Sequence, residues 1–170
     1  MVKAAHIYYD YQLLIPTVSR TRTWHSNALN RRGSGPPYFS AENASGHRID
    51  FVTKDVLVVE DEVYLCELIG DVIESEGHTV RKASNGLEAL ERMKERKPQL
   101  VLLDLMMPIM DGWEFMEALR ANPQWDGVPI VIITAIYDVK RTQEETGARA
   151  VITKPFDIDQ ITEIVRLYAN

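Results

Sequence analysis

The chain has little cysteine: Cys66 is the only one among its 170 residues. A single cysteine excludes an internal disulfide, and its place in an apolar helical pattern predicts a small core side chain in a reducing compartment. No apolar run approaches the roughly 18 residues that cross a bilayer, so we expect no membrane insertion. Together, these absences predict a cytoplasmic protein.

The sequence also lacks the features of nucleotide and nucleic-acid binding. No glycine-rich phosphate loop of the GxGxxG or GxxxxGK[ST] type occurs. The formal net charge is −6, which argues against general attraction to nucleic acid or to an acidic membrane surface. We therefore expect no direct nucleic-acid partner.

Charge divides the chain near Lys54. Residues 1–53 hold six Lys and Arg against three Asp and Glu, a net charge of +3, whereas residues 54–170 hold 13 against 22, a net charge of −9. The first segment has no sustained period of 3.6 or 2 and contains the linker-like stretch NRRGSGPPYFSAENASG. We predict that residues 1–53 are a disordered or loosely ordered N-terminal extension.

Other interpretations of this extension stay open. A start codon placed too far upstream would also give a segment without pattern. The acid-poor stretch 17–40 has some of the composition of an organelle transit peptide, and a basic arm that touches nucleic acid is a further weak alternative. The apolar stretch AAHIYYDYQLLIPTV is broken too often by polar residues to be a signal-peptide core.

Residues 54–170 alternate short runs of strand length with amphipathic helical patterns. The five runs are DVLVVE, HTVRKAS, QLVLLD, VPIVIIT and ARAVIT. The second run is the most polar, which predicts a position nearer an edge of the sheet. A helical pattern follows each run; in the second of these patterns, Leu87, Leu90 and Met93 recur on one face.

This alternation predicts an α/β fold, with a doubly wound five-stranded parallel sheet flanked by five helices. Five strand–helix units are too few for an eight-stranded barrel. In doubly wound sheets, ligands bind beyond the carboxyl ends of the strands, where the strand order reverses. The functional side chains should therefore follow directly after the apolar runs.

Polar residues follow four of the five predicted strands. Glu60 and Asp61 end the first, Asp104 the third, Thr134 the fourth and Lys154 the fifth. Gathered carboxylates repel each other unless a cation joins them, and oxygen ligands suit a hard ion such as Mg²⁺. A lysine and a hydroxyl nearby would bind phosphoryl oxygens, and a carboxylate can itself be a nucleophile. The sequence therefore predicts a Mg²⁺ cofactor and phosphoryl transfer to Asp104.

With these motifs in view, residues 54–170 closely resemble the receiver domain of two-component response regulators. The matching text is VLVVEDE, LVLLDLMMPIMDGWEFMEALR, VPIVIITA and ITKPF. The resemblance implies the flavodoxin-like fold with strand order 2-1-3-4-5. It also implies a phosphorelay step in which a histidine kinase or a histidine phosphotransfer protein gives a phosphoryl group to Asp104.

The resemblance assigns the metal ligands by position. Asp61, Asp104 and the backbone carbonyl of Met106 would hold Mg²⁺. Glu60 would complete the acidic pocket and act on the ion through a water molecule. The acidic-pocket residues Glu60, Asp61 and Asp104 are all present in this chain, and the backbone carbonyl of Met106 is assigned by its position.

The resemblance also implies a switch. Lys154 would pair with the phosphate, its bond to Pro155 would be cis as is usual in the family, and Thr134 would turn towards the phosphoryl group. The family's switch aromatic, three residues before the lysine, is Val151 here. Coupled movement of a threonine and an aromatic ring is therefore expected to be muted or to take another form.

Two further departures concern hydrolysis. The positions two beyond the acceptor and two beyond the threonine often tune hydrolysis in the family, and they hold Met106 and Ile136 here. Neither side chain can orient an attacking water. We therefore expect a long-lived phosphorylated form.

The resemblance predicts a signalling domain that is no enzyme beyond its own phosphorylation and dephosphorylation. No output domain follows the last predicted helix, so we expect a stand-alone receiver or relay component that binds an unknown downstream protein. The family's usual output face comprises the fourth helix, the fifth strand and the fifth helix; here it includes Lys140, Arg141, Arg149 and Tyr168. Alternatively, the chain is a fragment of a larger sensor or regulator.

Two rival functions compete with this one. Hydrolases and mutases of the haloacid dehalogenase type also use a nucleophilic aspartate with Mg²⁺, but they require a second acid at the position of Met106. A receiver fold that serves only as a docking module, without phosphorylation, remains an alternative. The presence of every acidic-pocket residue argues against it.

Overall fold

The structure, a computed structural model, describes residues 38–42 and 48–169. Its first two strands, β1 (Tyr38–Glu42) and β2 (Arg48–Val52), pair antiparallel, with Tyr38 opposite Val52. No pattern in the sequence predicts this pair. The rest of the predicted extension, residues 1–37 and 43–47, lies outside the described residues, and the boundary near Lys54 stays a prediction.

The remaining strands form one parallel sheet of five. They are β3 (Asp55–Val59), β4 (Thr79–Ala83), β5 (Leu100–Leu103), β6 (Ile130–Thr134) and β7 (Ala150–Thr153). Their order across the sheet is β4-β3-β5-β6-β7, which is the order 2-1-3-4-5 that the receiver resemblance implied. The predicted fold class is therefore confirmed.

Strand composition explains this order. Every residue of β3, β5 and β6 is buried, as expected for central strands that are covered on both faces. The half-buried β4, which carries Arg81 and Lys82, lies at one edge, as its polar sequence predicted.

Five α-helices cover the sheet: α1 (Val63–Ser75), α2 (Gly86–Glu95), α3 (Gly112–Arg120), α4 (Val139–Thr146) and α5 (Ile158–Tyr168). A short 3-10 turn, Pro123–Trp125, follows α3. Helices α1 and α5 share one core cluster, with Ile69 and Ile161 buried in it. Helices α2 and α3 share the other, with Met93 and Phe115. Cys66 is buried in the first cluster, which confirms its predicted core position.

One predicted helix face needs correction. Leu87 is 51% exposed, and the side chains of α2 that are fully buried are those of Ala89 and Met93. Positions 89 and 93 are four apart and therefore lie one above the other on the helix surface that meets the sheet, with Leu90 half-buried beside them. The prediction from large apolar residues was wrong about the buried face of α2, because the small Ala89 lies at the centre of that face.

Capping side chains fix the points at which α2 and α3 begin. Asn85 caps α2 by accepting a hydrogen bond from the N–H of Glu88. Asp111 caps α3 in a reciprocal pair with Glu114, in which each side chain accepts from the other's backbone N–H. Both helices therefore start at defined points beside the loop that follows β5.

Gly112 lets α3 start directly against the end of β5. A Cβ atom at this position would lie 2.5 Å from the backbone oxygen of Asp104 and 2.7 Å from the Cα of Leu105. Because both atoms are backbone, neither can move without displacing the loop. No residue larger than glycine fits here without a shift of the loop.

Replacing Gly112 by alanine should therefore destabilise the fold by about 2 kcal/mol or more, as overpacking against a rigid neighbour does. Urea unfolding of the full chain measures this change. Glu117→Ala, an exposed position of the same helix, is the matched control and should change stability by less than about 0.5 kcal/mol. A loss for Gly112→Ala no larger than that of the control would show that the loop yields freely.

Candidate functional site

Asp104 lies at the carboxyl end of β5, and its side chain is only 5% exposed. Its Oδ1 accepts a hydrogen bond of 3.0 Å from the N–H of Met106, and its Oδ2 accepts one of 2.5 Å from the Nζ of Lys154. Both carboxylate oxygens are therefore oriented by donors. A buried acid with partners of this kind is held in one position.

Lys154 follows β7 and reaches across the end of the sheet. Its backbone N–H donates to the carbonyl of Thr134, which fixes the start of the loop, and its bond to Pro155 is cis, as predicted. Its Nζ binds Glu60 Oε2 at 2.8 Å as well as Asp104. Burial alone would lower the pKa of this ammonium, but its hydrogen bonds to Asp104 and Glu60 outweigh burial and raise that pKa. The amine is a cation at neutral pH.

The third part of the site is the acidic pair after β3. Glu60 is buried and Asp61 is exposed, because successive side chains leave the strand end in opposite directions. Burial raises the pKa of the Glu60 carboxyl, and the hydrogen bond from Lys154 offsets part of that rise. The pKa of Glu60 therefore depends on the positive charge of Lys154 beside it.

These acids fit a hard divalent cation. One carboxylate oxygen from each of Glu60, Asp61 and Asp104 lies within 4.8 Å of the other two. The Lys154 ammonium pairs with Glu60 and Asp104, and no contact joins it to Asp61, the third acid of the group. The ligands are all oxygen, and the exposed Asp61 leaves an open side for water, as Mg²⁺ prefers. The donor set therefore suits the predicted ion.

Met106 is placed by the same loop. Its N–H is the group that orients Asp104 Oδ1, and its side chain is 62% exposed. Its carbonyl stays a predicted ligand. A thioether in this exposed place offers no strong hydrogen bond to a water molecule.

Thr134 ends β6 and is fully buried. Its hydroxyl oxygen lies 3.5 Å from the N–H of Ile136, at the outer limit of a hydrogen bond. Val151 lies opposite Ile132 in the sheet register and is half-buried against the cluster that contains Phe115. The structure thus places a short aliphatic side chain where the family has an aromatic ring, and the switch roles of Thr134 and Val151 stay predictions.

One feature of the loop that follows Asp104 has no signal in the sequence. Ile109 adopts a φ of +73°, which makes it unique among the non-glycine residues that the structure describes. The N–H of Met110 donates to the carbonyl of Pro108 at 2.9 Å, which closes a three-residue turn around Ile109. A glycine at this position would have been a signal; an isoleucine is not one, because β-branched residues rarely adopt this conformation.

Comparison with known proteins agrees with this geometry. The sequence-family model of the response regulator receiver domain matches residues 56–166 of this chain. Sporulation initiation phosphotransferase F of Bacillus subtilis is 34% identical over 119 residues, which cover 69% of this chain and 94% of that protein. Polar-differentiation response regulator DivK of Brucella anthropi is 31% identical over 118 residues, 68% of this chain and 95% of that protein. The chain therefore belongs to the response regulator receiver family.

Solved structures share the fold. Chemotaxis response regulator CheY4 of Vibrio cholerae superposes with a TM-score of 0.64 at 25% identity, over 69% of this chain and 99% of that one. The receiver domain of Francisella response regulator 1452 gives 0.63 at 28% identity, over 69% and 97%. The Mn²⁺-bound form of response regulator Rcp1 has the same fold, with a TM-score of 0.61 at 23% identity over 69% and 95%.

Among the residues that the structure describes, no helix has both the length and the apolar character needed to span a bilayer.

Proposed function

We propose that this chain is a phosphoacceptor receiver of a two-component phosphorelay, in which Asp104 takes a phosphoryl group from a phosphohistidine and the phosphorylated chain signals by binding a partner. The observation that carries the proposal is the pairing of the buried Asp104 with Lys154, beside the carboxylates of Glu60 and Asp61. This role belongs to a signalling domain in the cytoplasm and not to an enzyme that turns over a separate substrate.

The chain's own groups account for the transfer. A carboxylate oxygen of Asp104 forms the new bond to phosphorus, while the bond from phosphorus to the donor imidazole breaks and its electron pair returns to the imidazole nitrogen. The Met106 N–H fixes the direction of the carboxylate. Lys154 is near enough to move its ammonium from Asp104 Oδ2 to a phosphoryl oxygen, which neutralises charge as the group arrives.

Glu60, Asp61, Asp104 and the Met106 carbonyl are the groups that would hold Mg²⁺. When bound, the ion supplies Lewis-acid stabilisation of the phosphoryl oxygens. The acids Glu60 and Asp61 lie beside the acceptor, where negative charge would repel an incoming phosphate. A divalent cation removes this repulsion, so phosphoryl uptake should require it.

The experiment measures the intact mass of the full chain after incubation with phosphoramidate, a small phosphodonor. With Mg²⁺ present, we expect a mass gain of one phosphoryl group. The same mixture with excess EDTA should give no gain, because the acidic pocket is then left uncompensated. An unchanged mass under both conditions would favour a docking module that is not phosphorylated, and steady release of phosphate from a phosphate ester would favour a hydrolase.

The phosphorylated form should be long-lived. The exposed Met106 and the half-buried Ile136 stand where polar side chains would position an attacking water, and neither can do so. Loss of the phosphoryl group from purified, desalted protein, followed by intact mass, should therefore take many minutes. Loss within seconds would show that other groups position the water.

The downstream partner is proposed to bind the face formed by α4, β7 and α5. Lys140 and Arg141 are exposed there, and each forms an ion pair with a glutamate one turn later in α4. Exposed pairs of this kind contribute little to stability, so both cations are available to a partner.

A further inference from the structure

Helix α1 exposes a stripe of residues that mixes apolar and acidic side chains: Tyr64, Glu67, Leu68, Asp71 and Glu74. Residues three and four apart in a helix are neighbours, so these residues form one continuous surface, which we call the outer face of α1. Tyr64 is 85% exposed and Leu68 is 43% exposed. A surface of this kind suits a partner segment that is both basic and apolar.

The acids of the outer face are arranged unfavourably for the helix that carries them. Asp71 is four residues from Glu67 and three from Glu74, which places like charges next to each other. The helix dipole disfavours acids near a C-terminus, and the last turn of α1 contains Glu74 and no basic residue. Glu67 pairs with Lys82 of β4, but Asp71 and Glu74 form no ion pair with any residue that the structure describes. A cation along this face would therefore stabilise α1.

The chain itself contains a segment of complementary composition. Residues 11–41 include no Asp, Glu or Lys, and their four arginines all fall within residues 20–32: Arg20, Arg22, Arg31 and Arg32. The apolar residues Trp24 and Leu29 lie between the two arginine pairs in the sequence. Residues 20–32 thus combine a charge of +4 with two large apolar residues, whereas the outer face of α1 combines three acids with Tyr64 and Leu68.

The described backbone brings the chain back to α1 just after this segment. Tyr38, at the start of β1, is opposite Val52, at the end of β2, so the hairpin returns to the junction with β3. At this junction the N–H of Lys54 donates to Nδ1 of His78 at 3.4 Å, and the N–H of Thr79 donates to the carbonyl of Lys54 at 2.8 Å. Since His78 follows the last residue of α1 by three positions, the start of β1 lies close to the C-terminal end of α1.

The lengths of tether and helix also match. Residues 33–37 connect residue 32 to β1, and five extended residues span at most about 17 Å. Helix α1 has 13 residues, which is a length of about 20 Å. Residues 20–32 can therefore reach along the outer face, from Glu74 near the tether to Tyr64 at the end next to the acidic pocket.

We propose that residues 20–32 dock on the outer face of α1 in the same chain, with arginines against Asp71 and Glu74 and apolar residues against Tyr64 and Leu68. The short tether gives the segment an effective concentration on the order of millimolar, so weak contacts are enough. The attraction is mainly between exposed charges, so salt weakens it. This inference does not depend on the proposed phosphoryl transfer.

Trypsin measures the docking in the full chain, because it cuts after arginine only where the backbone is accessible. Intact mass follows cleavage within residues 20–32 at about 20 mM salt, where screening is weak. Cleavage should be at least about threefold faster in the double variant Asp71→Asn, Glu74→Gln than in the wild type, because more of the segment is then undocked. At about 0.5 M salt, the two proteins should be cut at the same rate.

The double variant Glu91→Gln, Glu95→Gln is the matched control. Its exposed acids lie on α2, across the sheet from α1, and their replacement changes the net charge by the same amount. This variant should be cut within residues 20–32 at the wild-type rate. A second measurement changes the segment instead: with its four arginines replaced by glutamine, the backbone amide NMR signals of α1 should shift at low salt, and those of α2 should not.

Four results would overturn the inference. Cleavage of Asp71→Asn, Glu74→Gln at the wild-type rate, or an equal acceleration in the control, would exclude docking on these acids. Protection that persists at about 0.5 M salt would exclude an electrostatic contact. Protection seen at about 100 µM protein but lost at about 1 µM would assign the segment to a second copy of the chain. Signals of α1 that ignore the arginine replacements would place the segment elsewhere.

Discussion

Replacing Asp104 by asparagine should abolish phosphoryl uptake, to less than about one thousandth of the wild-type rate. The amide has the shape of the carboxylate and can still accept the hydrogen bond from the Met106 N–H, but it has no anionic oxygen to attack phosphorus. Intact mass after incubation with phosphoramidate and Mg²⁺ measures the loss. The fold should persist, which circular dichroism can check.

Asp111→Asn is the matched control for this change. Asp111 lies in the same segment, and its Oδ1 accepts the N–H of Glu114 at the start of α3. Asparagine caps helices as well as aspartate does, so this variant should take up the phosphoryl group normally. Uptake that survives in Asp104→Asn, or that is lost equally in both variants, would remove Asp104 from the role of acceptor.

The second large effect is expected from Lys154→Met. This substitution removes the ammonium that binds both Glu60 and Asp104 and leaves two buried carboxylates without a cation. Because the lysine is partly exposed, we expect a loss of about 2 to 4 kcal/mol in the free energy of unfolding at neutral pH, somewhat below that for a fully buried pair. Urea unfolding in metal-free buffer measures it.

This loss should depend on pH in a defined direction. Burial raises the pKa of Glu60 above its ordinary value of 4.5, and without Lys154 only the weaker hydrogen bond from the N–H of Glu62 offsets part of that rise. Below this value the carboxyl is protonated in both the folded and the unfolded chain, so it adds no destabilisation. As pH rises, the unfolded chain ionises first, and the variant loses stability until the folded carboxyl ionises too. The difference from the wild type should therefore be smaller near about pH 5 than near about pH 7.5.

Lys94→Met is the control for Lys154→Met. Its amine pairs with Glu91 at 2.6 Å, but both side chains are 61% exposed. Removing such a surface pair should cost less than about 1 kcal/mol at either pH. A cost for Lys154→Met as small as this, or one that does not change with pH, would mean that Lys154 does not compensate the acidic pocket.

The sheet could be predicted from sequence because its strands are buried on both faces. Continuous apolar runs such as LVLL leave few alternatives, and the polar residues that end them must collect at one edge of a parallel sheet. Glu60, Asp104 and Lys154 could therefore be placed together before any coordinates. Their hydrogen bonds could not be, because those depend on how far the lysine side chain reaches across the sheet.

The features that escaped prediction have no local sequence signal. The pairing of β1 with β2 lies in a segment whose sequence has no clear period. Leu87 carries an apolar side chain yet faces solvent, because its position on the helix, and not its hydropathy, decides its burial. Isoleucine disfavours a positive φ, so Ile109 gives no turn signal in the sequence. The rest of the loop imposes this conformation on it.

A crystal structure of the full chain with Mg²⁺ and beryllofluoride, a stable mimic of a phosphoryl group, tests the central claim most directly. We predict beryllium bonded to an oxygen of Asp104, the Nζ of Lys154 within hydrogen-bond distance of a fluorine, and Mg²⁺ bound by Asp61 and Asp104. An unmodified Asp104 at saturating beryllofluoride, or a fluoride group bound elsewhere with Lys154 still paired to Glu60 and Asp104, would contradict it.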